Sequence, residues 1–326
     1  MNTTVPVSMR AWVAKAYGGP DVLTLERVPV PKPGAKEVLI RVQATTVSAA
    51  DRRIRAMDFP SGMRLAGRLA FGFDRPRRPV LGVELTGVVV AVGSRSTRFR
   101  IGDPVIALCG PRMGGHAEYV AVRERAAVIV RPAQMPIETA AALGFGGTAA
   151  LDFLRRAGLR ADERILVIGA AGTVGSALVQ LAAAAGAHVT AVTSTHNLEK
   201  VRDLGANTVV DRNTDDVTRM DTTFDVVADA VGALCFRRAL PLLAERGRYL
   251  AINGTLSDMI ARARGGKRCI AGPAVERAAD LTELSELCAK AQFTPLLDSV
   301  FAFDALPQAH ARVDTGHKSG SVVVRL

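Results

Sequence analysis

The sequence predicts an α/β protein in two parts: a β-barrel-like head and a doubly wound parallel sheet with helices on both faces. Three observations predict it. Residues 165–200 (ILVIGAAGTVGSALVQLAAAAGAHVTAVTSTHNLEK) read as strand, glycine turn, helix, strand and polar loop. From Pro136 onward, short apolar strands alternate with helical windows, the pattern of a parallel sheet. Before Val130 the chain instead carries β-branched runs divided by Gly and Pro.

The elements follow in order. Val38–Val42 and Val88–Val92 are strands of the head, with turn signals at Pro31–Gly34, Gly93–Ser94 and Gly102–Pro104. The second part contributes strands at Ile165–Ile168, His188–Val192, Thr208–Val210, Val226–Ala228, Tyr249–Ile252 and Arg268–Ala271. Helices such as Ser176–Ala185 and Leu198–Leu204 fall between them. The tail has a helix at Leu281–Ala291 and strand patterns at Leu297–Phe303 and Ser321–Arg325. It no longer alternates, so it is predicted to return to the head. The expected boundaries are 1–128, 129–272 and 273–326.

Composition narrows the class. Cys109, Cys235, Cys269 and Cys288 are too few for a disulfide framework and lack metal-ligand spacing. They read as free thiols of a reducing compartment. The start, MNTTVPVSMRAWV, has neither a basic n-region nor an apolar h-region. The most apolar helix is too short to span a bilayer. A cytoplasmic protein with no membrane partner is expected. The net charge is +11 and the pI about 10.1. The excess is concentrated: eight arginines between Arg52 and Arg78 face only Asp58 and Asp74, and Arg262, Arg264, Lys267 and Arg268 form a second cluster. Such clusters suit a solvated surface or phosphate-bearing ligands. Aromatics at 5% are poor for stacking bases, which argues against nucleic acid as the main partner.

The turn Ala170-Ala171-Gly172-Thr173-Val174-Gly175 matches G-x-G-x-x-G with Ala in the first position. Gly172 lets a backbone approach a pyrophosphate, and Gly175 lets the helix pack on the strand. The helix N-terminus offers free N–H groups to the phosphates. Its place between two strands points to a dinucleotide. An NAD site carries an acid about 20 residues on, at the end of the second strand. Here Thr193, Ser194, Thr195, His196 and Asn197 stand there, followed by Glu199 and Lys200. Hydroxyls, an amide and a lysine suit a 2′-phosphate, so NADPH is the expected cofactor. Hydrogen bonds to charged groups contribute roughly 1.5–3 kcal/mol each. Two of them favour NADPH over NADH by about two to four orders of magnitude.

Further segments carry a family resemblance: Pro79–Gly93 with Phe99–Val105, Gly114–Val120, Ala140–Ala150, Phe224–Gly232, Gly247–Gly254 and Gly316–Leu326. With the glycine turn between a β-rich head and a returning tail, the chain resembles the medium-chain dehydrogenase/reductase superfamily over nearly its whole length. The resemblance implies a GroES-like catalytic domain, a Rossmann domain and a homodimer. It departs from the zinc-dependent members. Their Cys-His-Thr-Asp reads Ser48-Ala49-Ala50-Asp51, and their Gly-His-Glu reads Gly82-Val83-Glu84. A catalytic zinc needs three protein ligands, so the chain is similar to the zinc-independent quinone oxidoreductase and enoyl reductase branch. No metal is expected. Hydride addition to a quinone or conjugated C=C is less demanding of a Lewis acid.

The resemblance also nominates site residues. Thr148, Val231 and Asn253 are expected near the nicotinamide. Quinone reductases of this branch often carry Asn and Tyr where Ser48 and Arg53 stand. Ser48 is a weak candidate donor, Arg53 a fixed cation facing an enolate or a phosphate, and Asp51 a weak third candidate. Structural hydrogen bonding is favoured for Asp51 and Glu84. His116 and Tyr119 are poorer candidates as proton donors. In Asp58–Phe73 the residues Phe59, Met63, Leu65, Leu69, Phe71 and Phe73 form an apolar side, with Arg64 and Arg68 opposite. Phe59, Met63 and Phe71 are expected to cover the cleft and favour a hydrophobic acceptor. Two alternatives stand beside the quinone or enone reductase. One is a reductase of CoA or carrier-protein enoyl thioesters. The other is an NADPH-binding module with an RNA or protein partner.

Overall fold

The computed structural model describes residues 5–59 and 62–326. Six parallel strands form one sheet, in the spatial order Thr208–Asp211, His188–Thr193, Arg164–Ile168, Phe224–Asp229, Leu243–Ala251 and Arg268–Ala271. Strand order reverses beside Arg164–Ile168, and a crevice opens there at the carboxyl ends of the strands. Both faces of this sheet are covered. Ile165, Val167, Val226 and Leu250 pack with Leu154 and Leu178 of helices Gly144–Ala157 and Thr173–Ala184. Leu166, Ile168, Val227 and Tyr249 pack with Phe236 and Leu242 on the other side. Burial on both faces explains the unbroken apolar runs of these strands.

The head is a mixed seven-stranded sheet. Its path runs Leu297–Ala302, Ser321–Arg325, Glu37–Val47, Glu84–Val92, Pro104–Leu108 and Val128–Val130, and Tyr119–Arg123 pairs with Glu37–Val47. Of the returning strands, Ser321–Arg325 pairs with Glu37–Val47 and Leu297–Ala302 pairs with Ser321–Arg325.

Two expected boundaries move. Strand Val128–Val130 pairs with Pro104–Leu108, and Ala141 and Ala142 pack with Ala44 and Val323. Residues 129–142 thus belong with the head, and the second part starts at helix Gly144–Ala157. Helix Ala278–Ala289 puts Leu281 and Leu284 into the core under that helix. Gly147 leaves the room: a Cβ there would lie 2.6 Å from Leu284. The chain re-enters the head sheet at Leu297, not at 273.

Candidate dinucleotide and acceptor cleft

A cleft of about 860 Å³ lies at the carboxyl ends of the parallel strands, lined by residues of both parts. Its floor is the glycine turn. The tight bend falls at Gly169, with φ of +80°, and not at Ala170. The Gly169 and Ala170 N–H groups both donate to Val192 O, at 3.1 and 3.0 Å. Ala170 is fully buried in the core and does not line the cleft, contrary to expectation; Gly169 and Ala171 on either side of it do. The helix starts at Thr173 with Gly172 as its N-cap, earlier than the sequence pattern suggests. A Cβ on Gly175 would lie 2.1 Å from Gly169 O, whereas one on Gly172 would meet only that oxygen, at 3.3 Å. Gly175 is needed for packing; Gly172 keeps the cleft side open. Gly172, Thr173, Val174 and Gly175 all line the cleft.

Thr193, Ser194, His196 and Asn197 line the cleft where the sequence expects the adenosine phosphate. Asn197 is held at both ends of its amide: Oδ1 accepts from Ser319 Oγ at 2.7 Å, and Nδ2 donates to Ser194 Oγ at 3.2 Å. It orients the loop and leaves the Ser194 hydroxyl proton to point elsewhere. Lys200 is exposed and stands outside the lining. Arg212, Asn213 and Thr214, which follow the third strand, line this end instead, with Asp215 and Asp216 beside them. Sequence reasoning missed them because they come from a strand that only the sheet order places next to Thr193.

The other end is shaped by Asp229. Its buried carboxylate accepts from the N–H groups of Val231, Gly232 and Leu234 at 2.7–3.0 Å, which fixes the loop after strand Phe224–Asp229. Val231 and Asn253 line the cleft there, and Asn253 Nδ2 donates to Val231 O at 3.1 Å. From the head, Arg53 Nη2 donates to Asn253 Oδ1. Among the described residues Arg53 has no carboxylate within ion-pair distance. Its neighbour Arg52 takes Asp58 and Asp314.

Several nominated residues are occupied elsewhere. Ser48 caps helix Ala49–Ala56: its hydroxyl donates to Asp51 Oδ2 at 2.6 Å and accepts from Asp51 N at 3.2 Å. Asp51 also accepts from Gly82 N at 2.8 Å and is fully buried. Neither has a free group to offer an acceptor. Thr148 is buried with its hydroxyl donating to Gly144 O; Phe145 is the residue of that helix that lines the cleft. Phe59 and Phe71 stack at 5.6 Å and pack inward on the head core, and neither they nor Met63 line the cleft. Glu84 is buried and accepts from Thr46 Oγ1 and Phe145 N, and burial pushes its carboxyl up to about 7. His116 is buried, with Nε2 at 3.0 Å from Thr46 O.

Lys318 is a lining residue that the sequence did not flag. Its ammonium donates to Thr173 Oγ1 at 2.6 Å and to Gly320 O at 2.7 Å. Burial pulls its pKa down to about 8. It belongs to the tail, and only folding brings it to the helix N-terminus.

The chain matches the alcohol dehydrogenase GroES-like domain over residues 34–132 and the zinc-binding dehydrogenase family over 204–324. It is 32% identical over 335 aligned positions to the NADPH-dependent alkenal/one oxidoreductase of Arabidopsis thaliana, covering 99% of this chain and 81% of that protein. It is likewise 32% identical to the 2-methylene-furan-3-one reductase of Solanum lycopersicum, covering 99% and 80%. The quinone oxidoreductase structure from Coxiella burnetii superposes with a TM-score of 0.87 at 25% identity, covering 98% of this chain and 99% of that one.

Proposed function

The chain belongs to the medium-chain dehydrogenase/reductase superfamily, in its quinone oxidoreductase branch, and we propose that it is an NADPH-dependent reductase of conjugated enones, enals or quinones that works without zinc. The observation that carries the reading is the cleft lined together by Gly172, Thr173, Ser194, Arg212, Val231 and Asn253, with Arg53 of the head bonded to Asn253 from outside the lining.

The residues present fit the cofactor. The open side of Gly172 and the helix N-terminus at Thr173 suit a pyrophosphate. Ser194 and Arg212 suit a 2′-phosphate. NADPH supplies a hydride when bound. The loop fixed by Asp229 and the side chains of Val231 and Phe145 orient the acceptor end and keep water from it. At two of the positions of the zinc ligands of zinc-dependent relatives stand a capping hydroxyl (Ser48) and an isopropyl group (Val83). These are not the N, S or carboxylate donors that zinc takes.

The test is NADPH oxidation by the purified protein against a panel of quinones, enones, enals, saturated aldehydes and enoyl thioesters, before and after chelation. Turnover confined to quinones and conjugated carbonyls, and indifferent to chelator, is expected. Tight NADPH binding with no turnover would leave the cofactor-binding module as the better reading. The thioester reading draws support from Arg52 and Arg238, both in the cleft lining. It predicts turnover of a CoA thioester that falls as salt rises. A homodimer is supported by strand Arg268–Ala271, which pairs on one side only and leaves a sheet edge beside exposed Ile260 and Val275. The cytoplasm, as a reducing compartment, is supported by the four free cysteines.

A further inference from the structure

We propose that the outer face of helix Arg64–Phe71, with the arginine-rich loop behind it, docks on an anionic lipid surface. A surface helix ordinarily turns its apolar stripe to the core. This one is inverted. Gly67 is its one buried residue, set against Phe59; a Cβ at Gly67 would lie 2.8 Å from that ring. Phe59 stacks on Phe71, and both pack into the head. The leucines point the other way. Leu65 is 66% exposed and Leu69 54%, one turn apart on one stripe, and Phe73 beyond them is 50% exposed.

The charge around this apolar face is mostly of one sign, five arginines to one acid. Arg64 and Arg68 line its flank, and Arg75, Arg77 and Arg78 follow in the loop. None of the five makes an ion pair with another described residue, so none is neutralised. Asp74 is the acid of the segment; Asp58 is taken by Arg52. The Tyr17 hydroxyl donates to Gly72 O at 2.8 Å and ties the loop to the head, so the arrangement is held in place. Arg77 and Arg78 flank a recess of about 440 Å³ with Ile54, Phe71 and Met113 among its lining. An anionic headgroup and an apolar chain therefore find adjacent places.

Exposed leucines flanked by unpaired arginines are the composition of a helix that lies in a bilayer interface. Anionic headgroups supply the missing counter-charge. An acidic protein partner is the poorer match: a stable interface covers about 800 Å² per side, and this face rests on one helix of eight residues and the loop behind it. The sequence reading expects no membrane partner because no segment is long enough to span, and docking of this kind needs no span. The segment also approaches the second part of the chain, since a Cβ on Gly62 would lie 3.3 Å from Leu256. The docking does not rest on the reductase reading.

The experiment is co-sedimentation of the full chain with phosphatidylcholine vesicles, with and without about 30% phosphatidylserine, at low and high salt. Two double variants accompany it: Arg64→Glu with Arg68→Glu, and Leu65→Ser with Leu69→Ser. NADPH affinity and the thermal midpoint of each certify that it is folded. Binding to the anionic vesicles alone, weakened by salt and by about tenfold or more in each variant, is the expected result. Equal binding to neutral vesicles, no binding to either, or binding untouched by the variants would overturn the proposal. So would a fall in the mass measured by light scattering for the leucine variant, which would assign this face to a second copy of the chain.

Discussion

Lys318 Nζ lies 2.6 Å from Thr173 Oγ1, so the returning tail is fastened to the first turn of the cofactor helix. The contact spans 145 positions of sequence. The Gly320 N–H adds a 2.8 Å bond to Ala171 O, and the Thr173 hydroxyl donates to Gly320 O. The tail is therefore a wall of the cleft as well as part of the head.

Replacing Lys318 tests that wall. An ammonium at the helix N-terminus strengthens the attraction for a pyrophosphate, so Lys318→Met should weaken NADPH and NADH binding alike. The loss expected is about tenfold to a hundredfold. The pKa near 8 adds a second readout. In the native protein, cofactor affinity should fall as pH rises through about 8, because the ammonium is lost there. In Lys318→Met that slope should vanish. A slope of equal size in both proteins, measured by fluorescence titration, would place the titrating group elsewhere.

Cofactor preference should follow the cleft lining rather than sequence proximity. Arg212 lines the adenosine end, and Lys200 is exposed outside it. Arg212→Ala should reduce the preference for NADPH over NADH by about tenfold or more, with NADH affinity nearly unchanged. Lys200→Ala should leave the ratio within about twofold, as for an exposed charge. The reverse outcome in paired binding titrations would show that the 2′-phosphate sits where the sequence pattern first puts it.

The two glycines of the turn should separate stability from binding. Alanine at 175 forces a Cβ to within 2.1 Å of Gly169 O, a backbone atom that cannot yield cheaply. Overpacking of that kind costs about 1–3 kcal/mol or more, or roughly 5 °C in thermal midpoint. Alanine at 172 meets one atom at 3.3 Å and should keep the midpoint. Its methyl faces the pyrophosphate, so NADPH affinity should drop in that variant. Equal midpoints for the two variants would contradict the assigned roles.

These cases also mark how much the sequence reveals. The glycine turn and the six strands are legible because each is local: apolar runs, a Gly at a fixed offset, a change of period. The Arg53–Asn253 bond spans 200 positions, and no local pattern foretells it. Apolar periodicity likewise says that Leu281 and Leu284 are buried but not against which core, which is why the tail boundary moves. In Asp58–Phe73 the apolar residues read as one side. Gly67 is what turns Phe59 and Phe71 inward and leaves Leu65 and Leu69 outside. Ser48 and Asp51 look chemically available until the capping box consumes both.

Glu84 provides a test of buried charge. Its carboxyl stands at a zinc-family position yet is packed under Phe145, with its pKa raised from 4.5 to about 7 by burial. Bonds from Thr46 and Phe145 oppose the rise without cancelling it. The sign follows from linkage: the folded state binds more protons than the unfolded chain between pH 4.5 and about 7. The favourable contribution of the protonated group is complete below the unfolded value and is lost as pH rises through the folded one. Above that, the native protein carries a buried carboxylate. Glu84→Gln keeps an acceptor for the Phe145 N–H and cannot ionise. Its stability relative to the native protein should therefore grow with pH, by up to about 3 kcal/mol across the window. Urea melts at about pH 5 and about pH 9 measure this difference. Parallel pH profiles for the two proteins would mean that Glu84 ionises freely, and that its carboxylate is better solvated than its position under Phe145 implies.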